Sequence, residues 1–233
     1  GEISLPSVVY DGDKAYTLTE IADYSFYENE ELTGMNIPNT VKTIGERAFY
    51  GCENMSVLEI PASVTSIRGY AFAACKKLTH VKLPAGLTAI SECLFWLCTN
   101  LQTVEIPSSV TSIGSEAFYY CEKLESIEIP SSVMSIGESA FERCGGLKEL
   151  ELPSSVASIG AGGFKYCKSL QRIKLPEELT TISDNLFEDC INLTNIELPS
   201  SVTTVGDNVF EGCSALKSLK LYCKLSDYSW LKT

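Results

Sequence analysis

Pro38, Pro61, Pro84, Pro107, Pro130, Pro153, Pro176 and Pro199 follow one another at a constant interval of 23 residues, and they are eight of the chain's nine prolines. Self-similarity at such a period marks a solenoid, in which one unit cannot bury its apolar face alone and neighbouring units stack to make a continuous core. Eleven residues after each proline comes Phe49, Phe72, Phe95, Phe118, Phe141, Phe164, Phe187 or Phe210, and Phe26 holds the same register one unit upstream. Fourteen residues after each proline comes Cys52, Cys75, Cys98, Cys121, Cys144, Cys167, Cys190 or Cys213, with Asn29 in the first unit. Two columns that hold over seven equal intervals cannot arise by chance.

Within a unit, the segment Leu124 to Ile129 alternates apolar and polar at its end, as a half-buried strand does. The following Pro130 cannot donate to a ladder and ends the strand. Val133 and Ile136 point inward from a second short extended stretch, and Gly137 is expected to permit a turn that other residues avoid. Ala140, Phe141 and Cys144 then sit at helical spacing, which predicts about two turns of helix. The expected fold is therefore an α/β solenoid with a parallel sheet on one side and short helices on the other. Nine units span residues 15–221, the first being degenerate but carrying Leu18, Ile21, Leu32, Met35 and Ile37 in register. Residues 1–14 read as an N-terminal cap, with Asp11-Gly12 as the turn of a hairpin covering the first unit. Residues 222–233, with Tyr228 and Trp230, read as a C-terminal cap, or as the point where a longer array was cut.

The unit resembles the 23-residue leucine-rich repeats of BspA-like bacterial surface proteins. The resemblance rests on runs such as Leu152 to Gly160 (Leu-Pro-Ser-Ser-Val-Ala-Ser-Ile-Gly) and Ala117 to Cys121 (Ala-Phe-x-x-Cys). It implies a curved right-handed superhelix with a concave parallel sheet, display or secretion by a bacterium, and adhesive binding of host or other proteins. Related repeats also serve as passive stalks.

The net charge of −12 argues against nucleic acid, whose phosphates want Lys and Arg, and suits a basic partner or simple solubility. No apolar run approaches the roughly 18 residues of a membrane span. The chain begins at Gly1 without a leader, which reads as a trimmed fragment and leaves export open. Eight column cysteines, held in parallel register near strand spacing, are expected to be buried thiols, with disulfides and metal as the weaker alternatives. Cys93 and Cys223 break the column, and Cys93 is expected to be the more exposed thiol. His80 is the single histidine, so neither a catalytic triad nor a multi-histidine metal site is expected. No enzyme, cofactor or metal is inferred.

Function must then come from positions that the repeat leaves free. The exposed rung position reads Asn36, Glu59, Lys82, Glu105, Glu128, Glu151, Lys174, Glu197, Lys220. Glu105, Glu128 and Glu151 make a row of like charges, joined by Glu125 and Glu149, bounded by Lys82 and Lys174 and neighboured by His80. Like charges on adjacent strands are mildly destabilising, which suggests a basic protein partner. A merely solvated acidic face and a calcium site are the competing readings. The pair after each Phe, Trp96-Leu97 and Tyr119-Tyr120, forms an apolar patch amid polar flanks. Partial burial between coils, self-association, contact with another domain and carbohydrate stacking all fit it.

Overall fold

The computed structural model describes residues 1–225 and shows a β-solenoid whose stacked coils each carry two short parallel strands and an outer run of turns. Longer rungs such as Val57–Glu59, Thr103–Glu105 and Arg172–Lys174 form one ladder, and two-residue rungs such as Ser112–Ile113 and Ser135–Ile136 form a second. Register follows the repeat: Met35 lies opposite Leu58, Val104 opposite Val81, and Ile113 opposite Ile136. Alternation does the rest, since the central residue of a rung such as Glu149–Glu151 is buried while both neighbours face solvent. The longer ladder is hydrogen-bonded in three segments. It parts between Val57–Glu59 and His80–Lys82, and again between Ser126–Ile127 and Glu149–Glu151.

The core is a bundle of columns. Consecutive Phe rings from Phe26 to Phe210 stack nearly parallel, with centroids 5.1–6.0 Å apart. Those from Phe49 to Phe187 are fully buried, and among the described residues no charged or polar side chain joins them.

The expected helices do not form: among the described residues the outer side of every coil is a chain of turns. Two positions per coil, nine and thirteen residues after the proline, take positive φ, as at Glu116 (53°) and Tyr120 (60°) or Ser139 (50°) and Arg143 (61°). Left-handed residues at this spacing break a right-handed helix. Backbone donors instead alternate direction. Cys121 N–H bonds back to Phe118 within its coil, while Phe118 and Tyr120 donate to Ala140 and Glu142 of the next coil. Spacing explains the choice. A helix is about 10 Å wide, and the Phe column shows neighbouring coils only 5.1–6.0 Å apart on this side.

Gly137 is also needed for a different reason from the expected turn, because its φ is not positive. A Cβ there would lie 2.4 Å from the backbone nitrogen of Ser115 in the preceding coil. Gly45, Gly114 and Gly160 make the same close approach to Asp23, Glu92 and Glu138. Close stacking of backbones, not turn geometry, selects glycine here.

At the N-terminus, Val8–Asp11 and Lys14–Thr17 pair as an antiparallel hairpin, with Gly12 at φ 59° in the two-residue loop. Its side chains stay largely in solvent, and the strand that stacks on the array is Glu2–Ser4, in register with Gly34–Asn36. Of the expected C-terminal cap, Tyr222 is exposed and Cys223 buried, while Tyr228 and Trp230 lie outside the described residues.

Candidate functional site

The longer rungs present two outward side chains each, and on this face lie the acidic residues singled out from sequence. Glu105 and Lys82 sit opposite each other in register and form an ion pair at 2.8 Å. Glu151 pairs likewise with Lys174, and Glu197 with Lys220 at 2.6 Å. Each lysine's pKa is raised, chiefly by the hydrogen bond to its glutamate. These pairs are mostly solvated and add little stability. They do change the field, for the expected row of three negative charges is neutralised at both ends. Glu128 remains at its centre, one residue past the short rung Ser126–Ile127 and without an ion pair among the described residues. Glu149 faces Arg172 across the ladder, Glu125 is exposed beside Ser126, and His80 Nδ1 lies 2.7 Å from Thr103 Oγ1. Hollows of about 460 Å³ beside Glu105 and Glu128, and about 350 Å³ over Glu149, Arg172 and Asn195, open on this face.

All ten cysteines are free thiols. Each column thiol donates to the carbonyl of a Phe in the preceding coil, as Cys121 Sγ does to Phe95 O at 3.2 Å and Cys144 Sγ to Phe118 O at 3.3 Å. Burial pushes their pKa values up, to about 11 for Cys52 and Cys213 and about 12 for Cys98. Cys93 overturns the expectation of an exposed thiol, being only 4% exposed, with its sulfur 3.9 Å from Glu116 Oε2. It occupies the first left-handed position of its coil (φ 51°), where an expected helix would have turned it outward. Among the described residues no group of three or more His, Cys, Asp or Glu is placed to hold a metal ion.

The outer aromatic residues form ladders. Tyr27 and Tyr50 stack at 5.1 Å, Trp96 and Tyr119 at 6.3 Å, and Tyr119 leans on Tyr120 at 6.2 Å. Trp96, Leu97, Tyr119 and Tyr120 are all half-buried. Tyr50 and Trp96, two coils apart, also stack, at 6.5 Å. Beside them runs a row that the sequence reading missed, Tyr24, Arg47 and Tyr70, in which the guanidinium lies 4.4 Å from the Tyr70 ring and Arg47 Nη1 donates to Tyr24 Oη at 2.8 Å. Tyr120, Arg143 and Tyr166 repeat this sandwich on the opposite flank. The available signal was the same 23-residue offset, applied to the positions before Ala and after Phe as well as to the apolar columns. Tyr24, Tyr27, Arg47, Tyr50, Tyr70, Trp96 and Glu116 together line an open cleft of about 500 Å³.

In-phase parallel ladders, a stacked Phe column and a conserved coil length define a leucine-rich-repeat β-solenoid. The profile of the BspA type leucine rich repeat region matches in six copies, over residues 19–148 and 135–230. The chain belongs to that family. Among solved structures, a leucine rich repeat protein of T. pallidum is 28% identical with a TM-score of 0.50, over 93% of this chain and 78% of its own. The pneumococcal vaccine antigen PcpA gives 0.61 at 22% identity, covering 94% and 71%. A leucine rich cell surface protein of Faecalibacterium prausnitzii gives 0.51 at 24%, covering 98% and 88%. No curated protein matches.

Proposed function

We propose that this chain is a protein-binding, adhesive module of a bacterial surface protein and that its partner docks on the longer strand ladder. The observation that carries the reading is the contrast between columns. Inward positions repeat almost without change, whereas the outward rung position varies from Glu59 to Lys82, Glu128 and Lys174 while remaining exposed. The repeat leaves that position free of the core, so it can carry the specificity of a docking surface without cost to the fold.

The names of similar proteins, a cell surface protein and a vaccine antigen, support surface display. A basic partner would meet Glu128 and its neighbours Glu125 and Glu149, with the paired Glu105 and Glu151 on either side. Carbohydrate stacking on Trp96 draws less support, since both faces of the ring are covered by Tyr50 and Tyr119.

The test is affinity capture from host-surface extracts with the intact protein and with Glu105, Glu128 and Glu151 all changed to lysine. The expected result is loss of a partner held by the intact protein, with the fold unchanged, and a similar loss in high salt. Equal capture by the two proteins would favour the passive spacer.

A further inference from the structure

Charge avoids one flank of the solenoid. Charged residues make up 21% of the chain, yet none occurs in residues 61–67, 84–90, 107–113, 130–136 or 153–159. In each coil this segment runs from the proline to the buried isoleucine of the shorter rung, as in Ser112–Ile113 and Ser135–Ile136. Successive coils at a spacing of about 4.8 Å thus make an uncharged face about 20 Å long. The same positions accept charge elsewhere. One coil before the face the segment holds exposed Lys42, and one coil beyond it the segment holds exposed Glu177 and Glu178. None of these three forms an ion pair among the described residues.

Covering this face would strand few polar groups. Ser109 Oγ donates to Leu87 O, Ser132 Oγ to Val110 O and Ser155 Oγ to Val133 O, each at 2.6 Å. These bonds reach back into the preceding coil and need no water, so the hydroxyls lose little on burial.

The face is also complementary to itself. A two-fold axis along the shorter rung of the coil that begins at Pro107 lays the Pro130 coil over the Pro84 coil of a second copy, and the Pro38 coil over the Pro176 coil. The first match sets a knob against a recess. Met134, 56% exposed, stands where the coils on either side carry Thr111 and Ala157. The Pro84 coil holds Ala85, Gly86 and Ala89 where the next coil holds Ser108, Ser109 and Ser112. The second match sets Lys42 against Glu177 and Glu178. Shape and charge therefore select the same axis.

We propose that this flank joins two copies of the chain, face to face and antiparallel, about that axis. The contact is isologous, so each pairing occurs twice. It lies on the shorter ladder and does not depend on the docking reading of the longer one. A face of this size falls below the standard interface, and a dissociation constant of about 0.1 mM is expected.

Sedimentation equilibrium at protein concentrations up to about 1 mM tests this, with a monomer–dimer equilibrium as the expected result. Lys42→Glu sets like charges against each other at both ends of the dimer and should weaken association about tenfold. Glu177→Lys combined with Glu178→Lys should weaken it as much, although a general repulsion between acidic chains predicts the reverse. An equimolar mixture of the two proteins should regain the intact affinity within about threefold, because every charged end then meets its complement. Met134→Arg should abolish association with the fold unchanged, since the side chain it replaces already faces solvent. An intact protein that stays monomeric at about 1 mM, charge variants that associate as the intact protein does, or a mixture that fails to recover overturns the proposal.

Discussion

Removing the ring of Phe118 leaves a hole with neighbours on both sides, for Phe95 stacks at 5.6 Å and Phe141 at 5.1 Å and none of the three sees solvent. Phe118→Ala should cost ~3–5 kcal/mol, the usual sum of lost transfer energy and a cavity that rigid neighbours cannot fill. A loss below ~1 kcal/mol in urea denaturation would contradict the column. This residue was readable from sequence because burial in a solenoid is strictly periodic. Gly137 was not, since what constrains it is a backbone 22 residues away in sequence, Ser115 of the preceding coil. Gly137→Ala is expected to destabilise by ~1–3 kcal/mol through overpacking, more than the loss of a turn glycine at ordinary φ would give. Gly145→Ala is the control, because its added Cβ would meet nothing closer than Glu122 O at 3.4 Å.

At the scale of the element, strands were legible and the outer segment was not. Alternation such as Glu149-Leu150-Glu151 states its own period, whereas Ala140, Phe141 and Cys144 satisfy helical spacing without forming a helix. The corrective signal was present in residues tolerant of left-handed φ: Gly162, Asn185 and Asn208 at the first such position, Gly51, Asp189 and Gly212 at the second. Coil spacing, which sequence does not state, decided between the two geometries. Asn185, at φ 56°, provides a test by sign. In a helix, Asn185→Ala would stabilise by up to ~0.7 kcal/mol. In the observed turn it should destabilise by ~1 kcal/mol, since alanine resists this conformation more than asparagine does. Chemical denaturation of the two proteins reads the difference, and a far-ultraviolet spectrum without a helical signature should accompany it.

For the whole molecule, net charge and fold are decoupled: the −12 is carried on the surface, and no charged residue is buried among those described. Composition could therefore bound the partners but could not reveal that Lys82 and Lys174 neutralise the flanks of the acidic row. Nor could it show the cleft, whose walls come from five different coils. The thiol column is a titrating system built into the array. Unfolded thiols ionise near 9.0, while burial raises Cys52 and Cys213 to about 11 and Cys98 to about 12, with Cys121, Cys144 and Cys167 also well above the ordinary value. A proton held more tightly in the folded state contributes its stability in full below the unfolded value. That contribution is lost as pH rises from about 9 through the folded values, at about 1.4 kcal/mol per pH unit for each thiol that unfolding exposes. Because stability in a stacked array is summed over units and their interfaces, the terminal coils, each with a stacked neighbour on one side only, should fail first. Between pH 6 and 8 these thiols leave stability unchanged, and the urea midpoint should then fall steeply from pH 9 to 11. Alkylation at pH 8 should be slow throughout, with Cys52 and Cys213 modified before Cys98 when the protein is moved to pH 10. Replacing Cys98, Cys121 and Cys144 together with alanine should make the alkaline fall shallower, whatever it does to stability at pH 7. An unchanged slope in that variant would mean that the thiols do not set the alkaline limit.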